Sequence, residues 1–423
     1  MEKTANNSRR QWLVVIGCML IQAVPFGVAS NIQPQFISYV VEGEGFSLAS
    51  FSLIFTIGTL ISAIASPGIG YIYNRVNPKL MYLVGSILAC GGFLLFSFAH
   101  ALWQFYVIAA ISQVGVAVIS SIGVPILINA WFGEDMRGKA MGIAFAGGSI
   151  GNIFLQTLAA TALAREGYSW SYFMFGILGL IVGIPVALAI IRYPKNGEST
   201  AQKQKAGGRD KEPQSAVEEW GYTLSEVRQE RYFWLLLVAF VFLGIYISAL
   251  AVQYPAYLKG YLQLDATTVG LVGSTFALFS LFGNVGGGAL FDKLGPVRGM
   301  TVAGILAAVA CISLLVTPML PQMAFVFAAC KGLSVFSYML GPAFLTGSLF
   351  GRKEFGAILG LINLGFAVGF ASGSTLFGLL VDFGSYTLAW SVMLACIIIG
   401  YIMVLWVSKA LLERREARKS GRG

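Results

Sequence analysis

The sequence predicts an all-α integral membrane protein made of twelve transmembrane helices in two parallel six-helix repeats, and three observations predict it. The first is composition: of 423 residues, 57% are hydrophobic and only 11% charged, where an ordinary soluble domain carries about 25%. The second is the number of apolar runs long enough to cross ~30 Å of hydrocarbon at ~1.5 Å per residue. Twelve qualify: 12–39, 48–73, 79–99, 102–131, 139–163 and 170–192, then 232–258, 266–291, 297–317, 321–350, 356–380 and 388–411. The third is an internal echo. GALFDKLGPVR from Gly288 repeats GYIYNRVNPK from Gly70 at an offset of about 218 positions, and Gly133, Gly138, Gly142, Gly147 and Gly151 land on Gly351, Gly356, Gly360, Gly365 and Gly369. A period this long marks a duplicated domain rather than a solenoid repeat.

Taken in order, each run must be helical, because an open strand would leave backbone donors unpaired in lipid. The first, from Trp12 to about Val40, is too long for a signal-peptide core and is read as span one. Prolines interrupt several spans: Pro25 and Pro34 in span one, Pro125 in four, Pro185 in six, Pro255 in seven and Pro342 in ten. Kinks are expected there, since proline removes a backbone donor. Trp12, Trp103, Trp170 and Tyr172 lie near span ends and read as interfacial anchors.

Between the halves lies a polar stretch, giving domains at 1–192, a linker at 193–231, a second bundle at 232–411 and a basic tail at 412–423. The linker's KNGESTAQKQKAGGRDKEPQ has no apolar face and reads as flexible. Its continuation, TLSEVRQERYFW, sets Thr223 three residues before Glu226, the spacing of a capping box, and predicts a short interfacial helix.

Charge then sets orientation. Placing both termini in the cytoplasm puts 25 of the 28 Lys and Arg residues inside, leaving Arg165 and Lys259 outside and Lys331 within a span. This distribution explains the pI of about 9.3 without nucleic acid, since the basic residues form no continuous stripe. A multi-pass protein of the cytoplasmic membrane, embedded in lipid and monomeric, is expected. Cys18, Cys90, Cys311, Cys330 and Cys396 lack CxxC or His spacing, so no metal or cofactor is expected. The single His100 sits at an outer loop and no nucleophile and base pair can be assembled, which argues against an enzyme.

Twelve spans, a six-plus-six parallel repeat and the GALFDKLGPVR loop together resemble the major facilitator superfamily, and the resemblance covers essentially the whole chain. Gly288, Asp292, Lys293, Gly295 and Arg298 fall in register with that family's Gly-x-x-x-Asp-Arg/Lys-x-Gly-x-x-Arg loop. The resemblance implies a conformational latch in which the loop carboxylate braces a helix start in the opposite half, as an acid stabilises a helix N-terminus. Arg75 and Arg137 are assigned to the same latch. The first copy departs from the pattern, with Asn74 in place of the acid and Asn77 in place of the glycine.

Within the superfamily, RGKAMGIAFAGGSIG from Arg137 is similar to the glycine repeat in span five of monocarboxylate porters and oxalate/formate exchangers. IRYP at Ile191–Pro194 and the TLSEV…FWLL stretch before span seven share the likeness. The branch's anion-binding Arg of span eight corresponds to Asn284, its exchangers' span-eleven Lys falls near Ile362 and Asn363, and the acidic-glycine signature of span one is missing.

One ionisable residue stands at mid-depth. Lys331 lies about ten residues, or ~15 Å, from the outer end of span ten, and a cation there costs at least ~2.5 to 3.5 kcal/mol on insertion scales. By the resemblance, spans one, four, seven and ten line the substrate cavity, which makes Lys331 a candidate anion-binding group. The alternative is a lysine held by helix-end carbonyls or snorkelling to water. Neutral polar residues at helical spacing accompany it: Gln22 and Gln33 in span one, Gln113 and Ser120 in four, Tyr246, Gln253 and Tyr257 in seven and Tyr338 in ten, with Asn152, Gln156 and Asn284 as further candidates. One cation among neutral donors suits a small organic anion, a monocarboxylate or dicarboxylate. The expected function is its secondary active transport by alternating access, as an exchanger or a proton symporter. The alternatives are an efflux transporter for drugs or amphiphilic solutes, which lacks support from any membrane-embedded Asp or Glu, and a non-transporting sensor.

Overall fold

The computed structural model describes residues 2–73, 75–132, 134–194, 221–351 and 354–419. Among them the secondary structure is helical apart from one isolated bridge, Gly221 to Gly351. Most of the linker, with Asn74, Gly133, Arg352, Lys353 and the end of the tail, lies outside the described residues. Eleven helical runs among the described residues are long and apolar enough to cross a membrane. One of them, Lys139–Ala189, is 51 residues long, about 75 Å at the helical rise and too long for one crossing. It divides at Gly167, where φ is 77° and ψ 175°, a conformation that only glycine adopts without strain. Spans five and six are therefore distinct, in agreement with twelve. Gly295, at φ 75°, turns the chain likewise between spans eight and nine.

The chain gathers into two compact units. Unit 1 is Met1–Phe46, Leu53–Gln214 and Gln263–Ser274; unit 2 is Ser47–Ser52, Ser215–Leu262 and Thr275–Gly423. Each unit is held by the glycine repeat in the same way. A Cβ on Gly147 would meet the Met19 carbonyl at 2.1 Å, and one on Gly151 the Ala23 carbonyl at 2.0 Å. In unit 2 a Cβ on Gly369 would meet the Val241 carbonyl at 2.0 Å, and one on Gly365 the Leu237 carbonyl at 3.0 Å. The partners are separated by the same offset of about 218 as the glycines. Spans one and five, and seven and eleven, thus approach backbone to backbone, as small residues in membrane helices permit.

The prolines break the helices where a lost donor predicts it, with one exception. Span one widens into π turns over Gln22–Asn31 around Pro25 and tightens to a 3-10 turn at Gln33–Phe36. Span four has a π stretch at Val118–Ile122 ahead of Pro125, span seven ends its regular helix at Val252 before Pro255, and span ten is cut into Met323–Leu333, Phe336–Met339 and Gly341–Phe350. Pro185 is the exception: it sits inside helix with no non-helical backbone around it. Its fixed φ is compatible with a helix, and the lost hydrogen bond and the ring's crowding of the preceding turn are absorbed without leaving helical backbone.

The anchor assignment of Tyr172 is overturned. Trp103 and Trp170 are exposed, but Tyr172 is fully buried, stacked 4.0 Å from Phe36 and packed against Phe93 and Phe96. Its repeat equivalent, Trp390, is buried in the same manner against Phe377. The short helix before span seven forms as expected over Leu224–Gln229, with Thr223 accepting from the Glu226 amide and Glu226 accepting from the Thr223 amide.

Candidate functional site

The breaks in spans seven and ten position the candidate site. Ending a helix leaves its last four carbonyls without intrahelical partners and concentrates negative partial charge there. Lys331 occupies the last turn of Met323–Leu333, and its Nζ donates to the Leu250 carbonyl, in the last turn of Arg231–Val252, at 2.9 Å. The C-terminal end of span seven's regular helix therefore faces the ammonium. Aromatic rings flank it: Nζ lies 4.1 Å from the ring centre of Phe276, 5.0 Å from Tyr254 and 5.5 Å from Phe327, within the ~6 Å over which ring quadrupoles attract cations. Lys331 is 6% exposed. Dipoles and π faces hold its charge, and no carboxylate among the described residues pairs with it.

A chain of hydroxyls adjoins it. The Tyr246 and Tyr401 hydroxyls are 2.9 Å apart, Tyr401 donates to Ser337 Oγ at 2.9 Å, Ser337 donates to the Ser334 carbonyl and Ser334 to the Lys331 carbonyl. Tyr246, Leu250, Lys331, Ser334 and Tyr338 line a cavity of only about 10 Å³, space for roughly one water. Tyr338 lies over Phe366 with the rings 8° from parallel. Tyr401 gave no signal in the sequence: it is one of the few hydroxyls in the apolar run of span twelve, outside the spans that the resemblance assigns to the cavity.

The remaining candidates fall into other groups. Gln253, fully buried, donates through Nε2 to Ser52 Oγ at 2.8 Å and to Ser374 Oγ at 2.8 Å, all within unit 2, while its Oε1 has no hydrogen-bond partner among the described residues. In unit 1, Gln22 and Ser120 bond each other, with Nε2 to Oγ at 2.8 Å. Asn152 accepts from Gln156 Nε2, whose Oε1 accepts from Gln35 at 2.6 Å. Gln113 is half-buried against Gly58. Asn284 lies on an exposed face of its helix. For the latch, Gly288 and Lys293 lie in helix, Lys293 and Arg298 are exposed, and Gly295 makes the turn; the side chains of Asp292 and Arg137 lie outside those described. Arg75 is exposed over the Tyr71 ring at 4.2 Å.

A twelve-span helical chain, duplicated and with polar groups buried at broken helices, has the architecture of a secondary transporter. The comparisons say which kind: residues 16–261 and 242–422 match the Major Facilitator Superfamily, and the chain belongs to that family. It is 27% identical over 305 residues to the oxalate:formate antiporter of Oxalobacter formigenes, covering 71% of this chain and 68% of that protein. It is 24% identical to monocarboxylate transporter 12 of Mus musculus, over 93% of this chain and 85% of that one. Among solved structures, a bacterial homologue of the human lysosomal transporter Spinster superposes with a TM-score of 0.73 at 15% identity, covering 96% of this chain and 98% of the other. The nucleoside transporter NupG gives 0.71 at 12% identity, covering 95% and 99%.

Proposed function

We propose that this transporter carries a small organic anion, a monocarboxylate or a short dicarboxylate, and that Lys331 is the group that attracts it. The observation that carries the reading is the ammonium of Lys331, buried and held by a carbonyl and three rings but neutralised by no carboxylate among the described residues. A permanent internal partner would have made the site electrically complete; neutral partners leave room for a carboxylate brought by the solute. The relatives named for oxalate, formate and monocarboxylates support the same class. Tyr246 and Tyr338, which share a cavity with Lys331, supply hydroxyl groups to the same anion. The distribution of basic residues supports an orientation with both termini in the cytoplasm.

Uptake of labelled oxalate, formate and lactate into proteoliposomes is the test, with Lys331→Met beside the parent. The reading expects uptake of at least one of these anions and its loss in the variant; undiminished uptake by Lys331→Met removes Lys331 from the site. Coupling is resolved by the same vesicles. An exchanger needs an anion preloaded inside, whereas a proton symporter responds to an imposed pH gradient with none.

A further inference from the structure

We infer that unit 1 carries, away from the Lys331 site, a binding site for a phosphate-bearing anion in the basic pocket where the connection between spans two and three meets the ends of spans one and six. The pocket has a volume of about 860 Å³ and is lined by Arg10, Arg75, Asn77, Lys79 and Arg192 among others, and no Asp or Glu is among the described residues that line it. This is within the range of small-molecule sites, ~300 to 1,000 Å³.

The inference rests on Arg75 and Lys79, whose placement is fixed by neutral groups. The Arg75 guanidinium lies 4.2 Å over the Tyr71 ring, which orients its plane and leaves its charge intact. Lys79 Nζ donates to the Leu188 carbonyl at 2.9 Å, at the end of span six, where a helix terminus favours a cation. Asn77 caps the helix Pro78–Ser86 by accepting from the Lys79 amide at 3.0 Å, so the two charged residues flank a defined turn. Guanidinium and ammonium groups held around one concavity suit the several oxygens of a phosphate. Two sources offer that chemistry: the headgroup of an anionic lipid, since basic pockets beside membrane helices take such headgroups, and a soluble phosphate or phosphate ester.

The test follows the thermal unfolding midpoint of the purified full-length protein in detergent, which rises with any ligand that binds only the folded state. Phosphatidylglycerol against phosphatidylcholine in mixed micelles forms one arm, and inorganic phosphate against chloride at equal ionic strength the other. A saturable rise with phosphatidylglycerol alone assigns a lipid headgroup, and a rise with inorganic phosphate assigns a soluble ligand. Arg75→Gln with Lys79→Gln is expected to raise the half-saturating concentration at least tenfold. Asn77→Asp, which keeps the helix cap but sets a carboxylate in the pocket, does the same should the double variant not fold. Arg231→Gln in unit 2 leaves the response unchanged. No saturable response in the parent protein, or the same response in both unit 1 variants, overturns the site.

Discussion

The two repeats use one scaffold for different electrostatics. At the offset of about 218, Lys331 corresponds to Gln113, Tyr338 to Ser120, Gln253 to Gln35 and Ser374 to Gln156. The amide contacts survive the duplication: Gln35 meets Gln156 between spans one and five, and Gln253 meets Ser374 between spans seven and eleven. The charge does not. Gln113 packs on Gly58 as a neutral amide, whereas Lys331 brings a cation to one helix-end carbonyl and three rings. At the basic face the asymmetry is reversed. The unit 1 pocket holds Arg10, Arg75, Lys79 and Arg192 without a described acid, while a pocket of unit 2 sets Glu226 and Glu230 beside Arg231 and Arg414, with Arg414 Nη1 3.5 Å from Glu230. A duplicated fold conserves backbone approach and amide pairing, because these hold it together, and leaves charge free to specialise.

The sharpest way to break that contrast is to exchange the two residues. Lys331→Gln is expected to lower kcat/KM for the transported anion roughly 10- to 100-fold, the worth of a charge-assisted contact, and adding Gln113→Lys is expected not to restore it. Restoration would make the halves interchangeable. Next come the glycines, for which the halves are expected to behave alike. Gly151→Ala and Gly369→Ala each force a Cβ to 2.0 Å from a carbonyl oxygen and should cost about 1 to 3 kcal/mol. The equivalent pair Gly142 and Gly360 face open space and should tolerate alanine; unfolding midpoints of the four variants decide. Smaller still, Tyr401→Phe interrupts the hydroxyl chain from Tyr246 to Ser337 at about 1 kcal/mol, seen as a several-fold rise in KM. Smallest in its effect on transport is Thr223→Ala, which removes a cap worth ~1 kcal/mol and should lower the unfolding midpoint while leaving KM unchanged.

Much of the architecture was legible in the sequence because membrane insertion and duplication both write long-range patterns. The twelve runs, the glycine register and the Thr223 to Glu226 box all reappear as structure. Lys331 was legible as well, since an ionisable group in an apolar run has few ways to be tolerated. Its surroundings were not: Phe276, Tyr254 and Phe327 are ordinary lipid-compatible residues, and only tertiary packing turns them into a cation's partners. Tyr172 was misread for the converse reason, because an aromatic near a span end looks the same in sequence whether it meets the interface or, as here, a core of Phe36, Phe93 and Phe96. The basic pocket was invisible because Arg10, Arg75 and Arg192 are far apart in the chain.

The central claim is that the second repeat alone reads the solute's charge. Equilibrium binding of oxalate, formate and lactate to the purified protein, to Lys331→Met and to Gln113→Met tests it most directly. The account predicts that affinity for the bound anion falls at least tenfold in Lys331→Met and changes less than threefold in Gln113→Met; equal affinity in the parent and Lys331→Met would contradict it.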